Sequence, residues 1–357
     1  MRIIGRYLRR EIVAAMLLTL VALLVLFAFF DLLNQLEDVG QGQYRLRTAF
    51  LYVLLNLPGH VYEILPVAAL VGTLFALARL TAQSEYAVLR TSGISMLRLA
   101  GTLARIGLIF AAVTFAFGEY VAPASESAAQ RLRARASLNV ILSQFRSGVW
   151  VKDGDSFINV EQVTPDNTLV HVYIYEFDES QRLRSTSYAK KGTYRSGNEW
   201  HLTELVRTRF EDGHASVESM PELTWTSVLT PSLLSVLLLA PEKMSATDLY
   251  QYVDHLKSSK QQSTRYEIAL WSKLMYPLSV VLMMVLALPF AHFQSRVTSV
   301  GAKIFMGTLV GLAFFLMGRF FTALGALNNW TPFVSAMIPT MLFTVIAAVM
   351  IWRAERR

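Results

Sequence analysis

The sequence predicts an α-helical polytopic membrane protein, six transmembrane helices with an inserted all-β, jelly-roll-like domain held outside the membrane. Hydrophobic residues make up 54% of the 357 positions and mean hydropathy is +0.40. They gather in six blocks, each near the ~20 residues that cross the hydrocarbon of a bilayer. Between the third and fourth blocks lies a polar stretch, residues 123–267, whose apolar residues recur at every second position, as in strands.

The first block, IVAAMLLTLVALLVLFAFFDLL, follows Arg2, Arg6, Arg9 and Arg10. Its apolar run is too long for a secretory signal and no small-x-small cleavage site follows, so it reads as a retained first span. Five more spans are expected at 53–79, 99–122, 268–291, 301–323 and 333–352. An even number puts both termini on one side. Twelve Lys and Arg lie in the two tails and the 79–98 and 292–303 connections, against only Arg45 and Arg47 in the short connections opposite. Cationic connections stay in the cytoplasm, so both termini and the 79–98 connection are expected there.

The insert carries 16 basic and 18 acidic residues, so the net charge of +7 arises in the membrane part. The basic balance therefore reflects topology and gives no support to nucleic-acid binding. Without cysteine, an outward domain must hold together by packing and pairing alone. GVWVKDGDSFINVEQV (148–163) reads as two strands around Asp153-Gly154. In TLVHVYIYEF, Val170, Val172 and Ile174 alternate with His171, Tyr173 and Tyr175, and ELTWTSVL continues the period of two. Short strands at this spacing argue for a sandwich or jelly roll. SVLTPSLLSVLLLAP (227–241), broken by Pro231, reads as a buried strand pair. SATD (245–248) opens a helix with a capping box and an apolar stripe of Leu249, Val253 and Leu256. SESAAQRLRARASLN (125–139) also reads as helical. The chain divides into spans one to three (1–122), the outward domain on two helical stalks (123–267) and spans four to six (268–357).

Catalytic signals are sparse. No Gly-Lys dipeptide occurs, which excludes a Walker A loop, and no GxSxG occurs. His60, His171, His201, His214, His255 and His292 lack ligand spacing, so no metal site is expected. Ser187 and Lys190 match Ser-x-x-Lys, a pattern that chance supplies readily. Asp31, Glu63, Glu119 and Arg319 fall near span ends, while Arg105 and Lys273 lie deeper; Glu63, between Pro58 and Pro66, leaves an ion-driven transporter as an alternative. Beyond span three, Arg131 and Arg135 share a helix face, with Arg133 opposite, at headgroup height. They read either as anchors of the stalk to membrane phosphates or as binders of an acidic lipid head, for which the Arg fork is suited. In span five, Gly307, Gly311, Gly318 and Gly325 clear one face, for packing within the chain or for a seam with a second subunit.

One stretch is left, TAQSEYAVLRTSGIS (81–95). On a helix Tyr86, Leu89 and Arg90 share a face with Glu85 beside them, and Gly93 supplies a stop. This predicts a short amphipathic helix near 82–93 that either lies on headgroups or docks in a groove of a separate cytoplasmic ATPase.

SEYAVLRTSGIS, the GQGQY turn at 40–44, GEYVAPASE closing span three, GVWVKDGDSFINV and LWSKLMYPLSVVLMMVLALPF occur in this order along the chain. Together they resemble the permease family of the lipopolysaccharide-export ABC transporter, LptF and LptG, and its LptG branch more than its LptF branch. The resemblance implies a permease subunit in the bacterial inner membrane with its jelly roll in the periplasm. It implies a partner permease, LptF, two copies of a cytoplasmic ATPase, LptB, that bind ATP and Mg, and a periplasmic bridge beginning with LptC. This chain itself would hold no cofactor. Lipopolysaccharide would leave the outer leaflet of the inner membrane through a gate formed by spans one and five, with Asp31 and the glycine face. Glu85 would meet an ATPase arginine, and Arg133 matches a basic position used near lipid A phosphates.

The chain departs from the pattern after span one, where relatives carry lysines and this sequence has Asp31, Glu37 and Asp38. Carboxylates repel phosphates unless a divalent cation bridges them, so the headgroup role is not extended to these positions. A mechanotransmission or lipoprotein-sorting permease, with four spans, and a membrane-bound enzyme are the competing classes.

Overall fold

A computed structural model of the chain describes residues 2–40, 44–83, 85, 88, 91, 95–136, 148–164, 168–178, 180, 182–196, 198–211, 214–227, 229–230, 240–258, 261–293 and 300–356. Helices α1 (Arg2–Leu36), α2 (Leu46–Ala82) and α3 (Met96–Ala116) form the first half of the bundle. A π-helical turn, Phe117–Val121, joins α3 to α4 (Ala122–Ala136), so the third span and the first stalk are one continuous rod. After the sheet, a 3₁₀ turn, Pro241–Lys243, leads to α5 (Ala246–Ser258), then α6 (Thr264–Phe293), α7 (Val300–Leu327) and α8 (Pro332–Glu355). Six of these helical stretches are long and apolar enough to cross a membrane.

Helices α2 and α6 form the centre. Both are mostly buried, and α2 touches α1, α4, α6 and α7 while α6 touches α2, α3, α7 and α8. Their inward residues, among them Leu65, Leu70, Leu74, Leu77 and Met283, are essentially inaccessible. In lipid the apolar drive between helices is weak, so close backbone approach carries the packing. A Cβ at Gly72 would lie 2.4 Å from the Cα of Met16 in α1, and one at Gly107 would lie 2.8 Å from the Cα of Val281 in α6. Neither neighbour is a side chain able to turn away. Gly72→Ala is therefore expected to destabilise the bundle by about 1–3 kcal/mol, read as a lower thermal midpoint in detergent. Gly101→Ala, where nothing lies within 4 Å, is the control, and equal midpoints would contradict the packing account.

The insert is one six-stranded antiparallel sheet in sequence order: β1 (Val149–Asp153), β2 (Ser156–Val163), β3 (Leu169–Phe177), β4 (Leu183–Tyr194), β5 (Glu199–Glu211) and β6 (His214–Thr226). The expected hairpin at Asp153-Gly154 forms, with Gly154 at φ +58°. Trp200, Leu202, Ile158, Val160, Leu169 and Val172 fill the core, and the Trp200 indole donates to the Leu229 carbonyl at 2.5 Å.

A corner runs across this sheet. The pairing registers step over Glu161, His171, Lys190, Glu204 and Pro221, which lie in one row. Across that row the buried positions are three apart instead of two: Val160 and Val163, Leu169 and Val172, Ala189 and Gly192, Leu202 and Leu205. His171 and Glu204 both adopt φ +52°, and the row pairs its charges outside, His171 with Glu161 at 3.0 Å and Lys190 with Glu204 at 2.8 Å. The shift inverts the faces of each strand and bends the sheet over its core. Strict alternation therefore fails at Val170, which is half-buried while Leu169 takes the inward place. Most of SVLTPSLLSVLLLAP lies outside the described residues.

Candidate functional site

At the β-domain end of the bundle, charged groups from α1, α2 and α4 form a collar. Asp31 Oδ2 meets His60 Nε2 of α2 at 2.6 Å. Seven residues on, past the end of α1, Asp38 Oδ2 accepts from Arg133 Nη2 of α4 at 2.6 Å. The guanidinium lies 5.8 Å from the centroid of the Tyr52 ring, and its Nε is buried with no hydrogen-bond partner among the described residues. The chain can turn back between α1 and α2 because Gly40, at φ +96°, donates to the Tyr44 carbonyl at 3.0 Å. The Tyr44 hydroxyl, 1% exposed, donates to Gln35 Oε1 at 2.8 Å. Burial pushes that hydroxyl above its ordinary pKa, with the Arg133 charge working the other way; the tie is therefore insensitive to physiological pH.

This places Arg133 apart from its neighbours. Arg131 is exposed and donates to the Ser127 carbonyl of its own helix at 3.2 Å; Arg135 lies on α4, its side chain outside the described residues. Asp38 partners Arg133 across 95 residues of sequence. Asp31 faces α2 and not α7.

A second set of ties fixes the link between the sheet and α5. The Glu119 carboxylate, on the π-helical turn, accepts from the Ala246 and Thr247 amides at 2.7 and 3.1 Å and from the Thr247 hydroxyl at 2.6 Å. A carboxylate on the first amides of a helix satisfies orphan donors and complements the dipole. Ser245 Oγ adds the expected cap, taking the Asp248 amide at 3.0 Å. Lys273, 7% exposed, donates to the Met244 carbonyl and stands 5.6 Å from the Tyr62 ring centroid, and Lys243 lies 3.7 Å from Glu126. The returning stalk is thus held by the π-helical turn, α4 and α6 together. The sequence marked Glu119 and Lys273 as membrane charges but gave no sign of their partner; the one signal was the Ser-Ala-Thr-Asp helix start, which needs acceptors for its amides. Glu119→Ala is expected to cost α5 about 0.5–2 kcal/mol and to speed proteolysis at 240–248. Unchanged cleavage would refute the tie.

At the opposite end, residues 85, 88 and 91 are helical. Glu85 is half-buried and hydrogen-bonded by the Tyr7 hydroxyl, while Val88 is 62% exposed. Tyr86, Leu89 and Arg90 lie outside the described residues. Arg79 and Glu11 pair at 3.4 Å nearby, so this loop is fastened to the start of α1.

The glycine face of α7 divides. A Cβ at Gly307 would meet Leu74 at 2.4 Å and one at Gly311 would meet Val67 at 3.0 Å, both on α2 of the same chain, whereas Gly318 has nothing within 4 Å. Gly307 and Gly311 therefore pack within the chain, and a second subunit at those two positions is not what clears the face. Ser187 is buried and accepts from Arg207 at 3.1 Å, while Lys190 points outward to Glu204; they make no pair. Among the described residues, no group of three His, Asp or Glu is placed to hold a metal.

The sequence model of the family described as "Lipopolysaccharide export system permease LptF/LptG" matches residues 6–353. The lipopolysaccharide export system permease protein LptG of Escherichia coli (strain K12) is 32% identical over 357 residues, 98% of each chain. That of Haemophilus influenzae (strain ATCC 51907 / DSM 11121 / KW20 / Rd) is 31% identical over 351 residues, 98% of this chain and 97% of the relative.

Proposed function

Because the chain belongs to the LptF/LptG family of lipopolysaccharide export system permeases, we propose that it is the permease subunit of an ABC transporter extracting lipopolysaccharide from the outer leaflet of the bacterial inner membrane. The match along nearly the whole chain carries this reading. ATP is hydrolysed on a separate pair of LptB subunits, which dock on the 82–93 helix through Glu85, Tyr86, Leu89 and Arg90. LptF completes the cavity, and the sheet passes the lipid to LptC by pairing of strand edges. Both termini are cytoplasmic and the sheet periplasmic.

In this frame α1 and α7 are the gate helices. Each packs on α2 and turns an apolar face outward, Leu18, Val21, Val25 and Phe29 on α1 and Phe305, Leu309, Leu312 and Leu316 on α7. Arg133 rests on Asp38 until a lipid phosphate competes for the guanidinium, which removes the apparent conflict of an acid in a phosphate-binding collar. The ties of residues 243–248 to the π-helical turn, α4 and α6 carry movement of the spans to the sheet.

The test is reconstitution with the partner permease and ATPase in proteoliposomes containing lipopolysaccharide. ATP-dependent release to a soluble periplasmic acceptor is expected. Release that does not need ATP, or none, overturns the reading.

A further inference from the structure

A cavity of about 670 Å³ lies between α2, α6, α7 and α8, separate from the collar. Its size is ordinary for a small-ligand site, roughly 300–1,000 Å³. Its apolar lining includes Ile268, Met275, Phe314, Ala336 and Pro339, and its polar lining includes Tyr62, Ser272 and Tyr276 together with six charged residues. Four of the six are engaged, Lys243 with Glu126 and Arg265 with Glu242, each at 3.7 Å, and Lys273 with the Met244 carbonyl. The other two, Glu63 and Arg319, form no ion pair with each other.

Arg319 stands eight residues before the end of α7 at Leu327, about 12 Å along the helix. Within a span a charge normally faces a partner or a water-filled space. Among the described residues, the Arg319 side chain has neither an ion pair nor a hydrogen bond; the Phe315 ring, 4.8 Å from centroid to guanidinium carbon, is its contact. Glu63, half-buried on α2, also has no ion pair among the described residues, although its backbone carbonyl accepts from the Tyr276 hydroxyl at 2.6 Å. The Ser272 hydroxyl is buried with no hydrogen-bond partner among the described residues. An unpaired cation, an unpaired anion and an unsatisfied hydroxyl beside an apolar lining describe an amphiphile carrying both charges.

We propose that this cavity holds a phospholipid with a zwitterionic ethanolamine head, its phosphate on Arg319 and its ammonium on Glu63, with Ser272 on the remaining oxygen. A purely anionic head would leave Glu63 opposed. A choline head has no N–H to give it. The lipid chains would follow the apolar lining residues Phe314, Ala336 and Pro339. The site is distinct from the one assigned to the exported lipid, so its failure leaves the transport reading standing.

The experiment uses the purified complex, washed free of lipid in detergent and offered equal amounts of dioleoyl phosphatidylethanolamine, phosphatidylglycerol and phosphatidylcholine, with lipopolysaccharide in a parallel sample. Native mass spectrometry reads what is retained. One phosphatidylethanolamine per chain is expected in preference to the others. Arg319→Gln is expected to lower retention at least tenfold and Arg319→Lys to recover part of it. Glu63→Gln is expected to keep binding but lose the preference over phosphatidylglycerol. Thermal midpoints identify any variant that fails to fold, in which case the remaining two decide. No retained lipid, equal retention of the three phospholipids, occupancy by lipopolysaccharide, or an Arg319→Gln protein that binds as before would each overturn the proposal.

Discussion

Glu85→Lys is expected to abolish capture of the partner ATPase while the protein still inserts and folds. Losing a carboxylate from a hydrogen-bonded interfacial charge pair costs about 2–5 kcal/mol, at least roughly 30-fold in Kd, and the new ammonium adds repulsion. The geometry supplies a control. Glu85 also accepts the Tyr7 hydroxyl of its own chain, so its loss could act through α1. Tyr7→Phe removes that bond and leaves the carboxylate in place; it is expected to retain most ATPase binding. If Tyr7→Phe and Glu85→Lys lose the ATPase equally, Glu85 serves the chain's own packing and not the docking.

Arg133→Glu is expected to depress lipid-stimulated ATP turnover far more than basal turnover. The change sets two carboxylates against each other where Arg133 and Asp38 now meet at 2.6 Å, forfeiting a charged hydrogen bond of about 1.5–3 kcal/mol. The charge-swapped pair, Arg133→Asp with Asp38→Arg, separates two roles. It restores the ion pair and is expected to recover thermal stability, yet leaves lipid stimulation impaired because the guanidinium now projects from the end of α1. Full recovery of both would make Arg133 a stalk anchor.

The features legible in the sequence are those whose cause is local. Each span carries its own ~20 apolar residues, and Ser245 caps α5 through the amide three residues on. The Asp153-Gly154 hairpin was likewise written in adjacent residues. What could not be read joins distant positions. Glu119 caps a helix 127 residues further on, and Arg133 takes an acid 95 residues back; no periodicity registers such a pair. The sheet corner hid for another reason. It needs His171 and Glu204 at positive φ, which their residue types permit without announcing, so alternation appeared to run unbroken through Val170. The spacing of Gly307 and Gly311 points to a cleared face, but only the packing shows that Leu74 and Val67 occupy it.

The most direct test of the account is affinity purification of this chain in mild detergent from its native membrane, with mass spectrometry of the proteins and lipids that accompany it. The account predicts a Walker-containing ATPase, a second six-span permease and lipopolysaccharide in one complex. Recovery of the chain alone, or with a different set of proteins and no lipopolysaccharide, would contradict it.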